Sequence, residues 1–264
     1  MKLVADNLQI IRQEIGQALD TRNPDPVRQM VQDCIEAGAD GIDINSGPLS
    51  REPEEKMTFL VKTLRSVTDR LCLIDTTNPA AMRAGLLAAG ENAIINGISL
   101  EPAKLEQILP LAEEFHVPVI GYLLDEKSRV PATEPECYDI SVALLQAVES
   151  AGVEKENLII DPVVAPLMWD SGIQHNRHIL SVIRNLPDVL GFPVKTIAGL
   201  SNLTTGRGPA AKKRLMEAAF LPMLADAGLG MLLLNIFHTD TTRLARSAPL
   251  LTEPGLFSWA SVPD

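Results

Sequence analysis

Short apolar runs rich in β-branched residues recur along the 264-residue chain, and amphipathic stretches with helical spacing lie between them. The runs fall near residues 2–5 (KLVA), 41–45 (GIDIN), 71–76 (LCLIDT), 92–97 (NAIING), 117–122 (VPVIGY), 158–164 (LIIDPVV), 195–201 (KTIAGLS) and 230–237 (GMLLLNIF), eight in all. Most stay apolar until a polar C-terminal end, the pattern of parallel strands covered on both faces. The first intervening helix opens at Asn23-Pro24-Asp25-Pro26, places Val27, Met30, Val31, Cys34 and Ile35 on one face, and closes at Gly38. Asn78 followed by Pro79 caps a later helix, and Glu101-Pro102 opens another whose buried stripe is Leu105, Ile108, Leu109 and Ala112. Further helices are predicted near 54–68, 138–152, 176–186, 210–227 and 239–247.

Eight such units in this length, with no linker or composition break, predict a single-domain (β/α)8 TIM barrel spanning 1–264. A doubly wound open sheet is the structural alternative, but it calls for a glycine-rich turn after the first strand, where this chain reads ADNLQI. Composition narrows the function classes. A formal charge of −11 opposes long-range attraction to nucleic acid or an anionic membrane, and 4% aromatic residues leave little for base-stacking platforms. Cys34, Cys72 and Cys137 are far apart and form no CxxC pair, so neither a disulfide framework nor a zinc site is expected. The opening MKLVADNLQI turns polar too soon for a signal peptide, and no apolar run approaches the roughly 20 residues of a membrane span. A soluble cytoplasmic protein is expected.

In a TIM barrel the active site lies where the strands end. Those ends supply Asp6 and Asn7, Asp43 and Asn45, Asp75 and Asn78, Asn96, Asp161, Ser201 and Asn202, and Asn235 and His238, while the fifth strand adds no Asp or Asn. Any one of these could be a helix cap or an Asx turn. Asp75 and Asp161 resist that reading, because each follows apolar strand residues where an unpartnered carboxylate is costly. Carboxylates accept from ring NH and amino groups, and asparagine offers a donor and an acceptor together, so the set suits a neutral heterocycle such as a pterin. A carboxylate cage for Mg²⁺ is the chemical competitor. No bound metal and no tightly bound cofactor are expected.

The segments GADGIDINSGP (38–48), LCLIDTTNPAAMRAGL (71–86), AIINGIS (93–99), LIIDPVVAP (158–166) and GLSN (199–202) resemble, in this order, the motifs of the pterin-binding methyltransferase family. That family includes methyltetrahydrofolate:corrinoid protein methyltransferases and the folate domain of cobalamin-dependent methionine synthase. The resemblance implies that Asp75, Asn96 and Asp161 hydrogen-bond the pterin and that Asp43 is a supporting carboxylate. It implies that Asn202 reaches the pterin N5 and that Gly199 and Ser201 form the wall beside it. Asp75, Asp161 and Asn202 are then the expected catalytic set. The implied substrate is tetrahydrofolate or 5-methyltetrahydrofolate, the cobalamin (corrinoid) cobalt belongs to a separate corrinoid protein, and the implied assembly is a homodimer. The apolar positions Leu215, Met216, Ala219, Phe220 and Met223 suit a subunit contact as well as barrel packing.

The chain departs from the family pattern in the seventh loop, SNLTTGRGPAAKKR, which is longer than expected and has Thr205 where glutamine is common. Arg207, Lys212, Lys213 and Arg214 form a basic run, read either as a site for the glutamate tail of folate or the corrinoid partner, or as a solvated helix start. Met168-Trp169-Asp170 places a tryptophan on a loop at the active face. His175 and His178 are expected to be exposed residues at a helix start, and His116 to end a helix. A dihydropteroate synthase shares the barrel and pterin pocket but would need an arginine and a lysine after strand seven and Arg-x-His at strand eight. Asn202 stands at the first of these, and only His238 of the last pair is present. A non-catalytic pterin or corrinoid-docking module is the third reading.

Overall fold

The computed structural model describes residues 1–252 and 255–263. Eight parallel strands close in sequence order into one barrel: β1 (Lys2–Gln9), β2 (Gly41–Asn45), β3 (Leu71–Asp75), β4 (Ala93–Ile98), β5 (Val119–Tyr122), β6 (Leu158–Asp161), β7 (Lys195–Gly199) and β8 (Met231–Leu234). The protein is a single-domain (β/α)8 TIM barrel, as the spacing of the apolar runs predicts. Outward-facing strand residues pack under the surrounding helices. Val4, Leu73, Ile94, Ile120, Ile159, Ile197 and Met231 form a separate cluster that fills the barrel. Side chains alternate along a strand, so the position two residues on returns to the interior. On β1 and β3–β7 that position is Asp6, Asp75, Asn96, Tyr122, Asp161 and Gly199. The apolar interior thus gives way within one layer to a polar mouth.

The helices depart from the sequence expectation where local signals are weak. An unpredicted helix, α1 (Gln13–Thr21), follows β1 and buries Ile15, Ala18 and Leu19. Its N-cap, Arg12, makes no capping bond, and Gly16 interrupts its propensity. That glycine serves packing, since a Cβ there would lie 2.9 Å from the Ile10 carbonyl oxygen. Next come α2 (Asp25–Glu36), α3 (Pro53–Arg65) and α4 (Pro79–Ala89), the last capped by Asn78. The helix expected from residue 101 breaks at Ile108 into α5 (Pro102–Gln107) and α6 (Leu109–Phe115), because Pro110 cannot donate to the preceding turn. His116 ends α6 in the left-handed conformation. After α7 (Glu134–Ser150), α8 runs over Gly172–Leu190, several residues longer at its start than expected. Strand β6 stops at Asp161 instead of residue 164, since Pro162 and a left-handed Val163 (φ 63°) follow. Strands β7 and β8 likewise end short of the predicted 201 and 237. The chain continues through α9 (Ala210–Asp226), α10 (Thr239–Ser247) and α11 (Pro249–Thr252). Among the described residues no helix is long and apolar enough to cross a membrane.

Candidate functional site

Strand register gathers the polar residues. Asn45, Asp75 and Asn96 sit side by side across β2, β3 and β4, and Tyr122 sits beside Asp161 across β5 and β6. Asp43 lies one layer deeper, level with Leu73. It is buried within the apolar layer and accepts from Asn96 Nδ2 at 2.9 Å. Asn96 in turn accepts at Oδ1 from the Tyr122 hydroxyl. Asp75 accepts from Asn45 Nδ2 at 2.5 Å. Contrary to the sequence expectation, Asp161 does make an Asx turn: the chain after β6 folds back so that the Val163 amide donates to Asp161 Oδ1 at 2.8 Å, which leaves Oδ2 for another partner.

Burial shapes the electrostatics of this arc. Removal from water disfavours the charged form, and it raises Asp161 to about 7 against a slight lowering by the Val163 bond. Burial likewise lifts Asp75 to about 6, opposed by the positive charge of Lys104. Asp43 is raised well above the ordinary carboxylate range, first by burial and then by the negative charge of Asp75. Tyr122 is pushed up by burial and by Asp75, Asp161 and Asp43, so its phenol stays protonated and remains a donor. Burial favours the neutral form of Asp43, while near neutrality Asp161 at about 7 is divided between its two forms and Asp75 at about 6 is mostly ionised, so the arc offers donors and acceptors to a ring edge.

The opposite arc is built differently. After Gly199 the chain turns through one short 3-10 segment, Leu200–Thr204, which exposes Ser201 and Asn202 and buries Leu200 and Leu203. Two side-chain bonds hold this turn: Ser201 Oγ donates to Asp6 Oδ2 at 3.1 Å, and Thr204 Oγ1 donates to the buried Glu217 of α9 at 2.5 Å. The Leu167 amide also donates to the Leu203 carbonyl at 2.9 Å, tying the turn to the β6 loop. A Cβ on Gly199 would approach Asn202 Nδ2 at 3.2 Å, so glycine here leaves the amide room. Asp6 is raised by burial, with the Ser201 bond opposing. Next to this arc, Asn7 Nδ2 donates to Asn235 Oδ1 at 2.8 Å, and Asn7 Oδ1 accepts from the Ile236 amide.

Every predicted site residue except Asp43, which lies one layer deeper, sits at or just beyond the strand C-terminal end. Asp43, Asn96 and Asp161 are buried and the half-buried Asp75 completes their arc, while the half-buried Gly199 leads into the exposed Ser201 and Asn202 of a separate one. The sequence reading missed Tyr122, because only Asp and Asn were sought at the end of strand five; its place two residues after the inward Ile120 was the available signal. His175 corrects the sequence expectation. It is buried, and its Nε2 donates to the Val163 carbonyl at 2.8 Å, bracing the left-handed residue beside Asp161. Its exposure was misjudged because α8 starts at Gly172, which turns this face inward. His178 is half-buried, not exposed. Trp169 is exposed on the β6 loop, and Cys34, Cys72 and Cys137 are free and buried. Among the described residues no three His, Cys, Asp or Glu side chains are grouped to hold a metal ion. A cavity of about 600 Å³ opens on the flank between α9 and α10, lined by Arg214, Phe237, His238 and Asp240, apart from the buried acids.

Fold and mouth together define a (β/α)8-barrel enzyme with an acid-and-amide mouth. The chain belongs to the pterin binding enzyme family, whose model matches residues 15–235. It is 30% identical to a dihydropteroate synthase of Streptococcus pyogenes over 71% of this chain and 72% of that one. It is 20% identical to a methylcorrinoid:tetrahydrofolate methyltransferase of Eubacterium limosum, over 81% of this chain and 78% of that one. Methionine synthase of Mycobacterium tuberculosis is 23% identical over 76% of this chain, and the chain spans 17% of that protein's length. Dihydropteroate synthase of Yersinia pestis shares the fold at a TM-score of 0.71 and 18% identity, over 95% of this chain and 92% of that structure.

Proposed function

We propose that this enzyme moves a methyl group between N5 of tetrahydrofolate and the cobalt of a separate corrinoid protein. The observation that carries the reading is the chemistry at β7 and β8. Asn202 stands exposed on its turn, and the buried Ile236 stands two residues before His238, so neither position carries the cationic side chain a dihydropteroate synthase would need for a pyrophosphate. The likeness to the Eubacterium limosum enzyme supports the same reading.

In this reading Asp75, Asn96 and Asp161 hold the pterin edge, with Asp43 behind them. The bond from N5 to its methyl group leaves nitrogen as a poor leaving group unless N5 receives a proton or a hydrogen bond. A donor aimed at charge that develops in the transition state is worth several kcal/mol in a dry site. Asn202 supplies that donor, and its amide can turn to accept when the reaction runs the other way. Gly199 and Ser201 wall the ring. The open mouth leaves an in-line path to the methyl group for the corrinoid protein, and exposed Met168 and Trp169 form part of its rim. A second copy against the apolar face of Ile173, Met216 and Met223 would complete a homodimer. Light scattering tests that assembly.

The deciding assay mixes protein, 5-methyltetrahydrofolate and Co(I) cobalamin and follows methylcobalamin by its spectrum, then repeats the reaction in reverse. Transfer is expected in both directions. Bound folate without transfer in either direction would favour a docking module. The second reading, dihydropteroate synthase, is favoured by the Streptococcus pyogenes relative and by His238. Condensation of a pterin pyrophosphate with an aromatic amine by the same preparation would establish it.

A further inference from the structure

Tyr122 is a half-buried, titratable side chain of the mouth that the mechanism above leaves unused. Tyr122 ends β5, the strand that brings no acid or amide, and its hydroxyl donates to Asn96 Oδ1. Asn96 Nδ2 donates to Asp43 Oδ1 at 2.9 Å. The amide is thus gripped at both ends, by a phenol at its oxygen and a carboxyl at its nitrogen. A primary amide has two N–H donors and two lone pairs. With one of each engaged, one N–H and one lone pair remain for a ligand.

The spatial sense of that remaining pair decides which ring edge can bind. If the amide turned by half a revolution about its Cβ–Cγ bond, donor and acceptor would exchange places, and an edge that fitted before would meet like against like. Asp43 alone enforces the sense weakly, because burial and the negative charge of Asp75 favour its neutral form, and a neutral carboxyl can donate to an amide oxygen as readily as accept from an amide nitrogen. The phenol supplies the second restraint, because an amide turned the other way would leave its O–H without the Asn96 oxygen that accepts it. Its ring packs with the interior cluster of Ile94, Ile120 and Ile159, so the hydroxyl is delivered from a fixed direction.

The neighbouring sequence makes room for this ring. A Cβ on Gly97 would lie 3.1 Å from Tyr122 Cε2 and 2.5 Å from the Ile120 carbonyl oxygen. Glycine at 97 and tyrosine at 122 therefore form a matched pair across β4 and β5. We propose that Tyr122 is a positioning residue that fixes the hydrogen-bonding sense of the Asn96 amide and so sets the heterocycle edge the mouth accepts. The proposal rests on the pterin reading for the identity of that edge.

The test uses the full chain. With tetrahydrofolate as the probe, Tyr122→Phe should weaken binding about tenfold, the scale of one buried hydrogen bond. The loss should fall on KM and not on kcat, because Asn202 works from the opposite arc. In an Asn96→Ala background the same change should add nothing. A readout without ligand exploits the presence of two tyrosines, Tyr122 and Tyr138, in the chain. With ¹³Cζ-labelled tyrosine, Asn96→Ala should move the Tyr122 resonance and leave that of Tyr138 in place, and Tyr122→Phe assigns the two. Unchanged folate affinity in Tyr122→Phe, additive losses in the double variant, or an unmoved resonance would each overturn the proposal. Wild-type protein that binds no folate would overturn the pterin reading instead; the resonance would then still judge the Tyr122–Asn96 link by itself.

Discussion

The two arcs of the barrel mouth use similar residue types in opposite ways. On β2–β6, Asp43, Asn96, Tyr122 and Asp161 are committed to one another or to backbone and are largely withdrawn from water. On the β7 side, Asn202 is exposed, and the bonds that hold its turn are made by its neighbours Ser201 and Thr204. A preorganised, desolvated arc suits recognition, since its groups need no rearrangement to meet a ring edge. An amide left free on a braced turn suits a step in which charge on the partner atom changes. In the proposed reading the difference puts binding on one arc and chemistry on the other, and each half of that reading can be broken.

The largest effect is expected at the exposed arc. Asn202→Ala should lower kcat for methyl transfer by about 10²–10³, the cost of one lost donor to developing charge, with folate affinity within a few-fold of wild type. Stopped-flow spectra of cobalamin with calorimetry of folate separate the two quantities. A variant that loses affinity and rate equally would move Asn202 into the binding arc. Asp161→Ala should do the reverse, weakening folate by roughly 10- to 100-fold, as expected for loss of a buried hydrogen-bonding carboxyl, with a smaller change in kcat at saturation. Unchanged calorimetric affinity would remove the buried arc from the pterin site.

The same contrast explains what was legible in the chain. Eight apolar runs with polar ends define the barrel, because burial on both faces of a parallel sheet demands that composition. Asp75, Asn96 and Asp161 are visible because a polar residue at the end of an apolar strand has few places to go. What stayed hidden depends on which way a side chain faces. A continuous apolar run conceals its own alternation, so Tyr122 reads as another large residue, and the deep position of Asp43 emerges only from its register with Leu73. Helix α1 stayed hidden because it lacks a capping side chain, and His175 because its inward face depends on where α8 begins.

Burial of the acids also predicts a pH effect on stability. Asp75 and Asp161 titrate near 3.8 when unfolded, and near 6 and 7 in the folded protein. The folded state therefore holds these protons more tightly. The stabilisation is fully present below about pH 4 and is lost as pH rises through 6 to 7. Over this window alone, folate-free protein should melt several degrees lower at pH 8 than at pH 5. Asp161→Asn should flatten that dependence, since asparagine carries no titratable proton. Scanning calorimetry of both proteins checks it, and equal slopes would mean the buried arc is better solvated than its geometry implies.

The smallest effect is expected at the rim, where α9 begins. Its first turn carries Lys212, Lys213 and Arg214 and no acid, and Pro209 makes no capping bond. Cations at a helix N-terminus oppose the helix dipole. Lys213 is accounted for locally, as it donates to the Gly206 carbonyl at 2.6 Å. Lys212 and Arg207 are exposed, and in a chain of net charge −11 they are suited to attract an anionic partner or folate tail. Replacing Lys212 with glutamate should then have two opposed consequences. Stability should rise by about 0.3–1 kcal/mol as the dipole conflict is removed. Association with the corrinoid protein should slow by a few-fold at low salt, and the difference should fade as added salt screens the charges. A stability gain with unchanged association would mark the basic run as a solvated helix start and confine function to the two arcs.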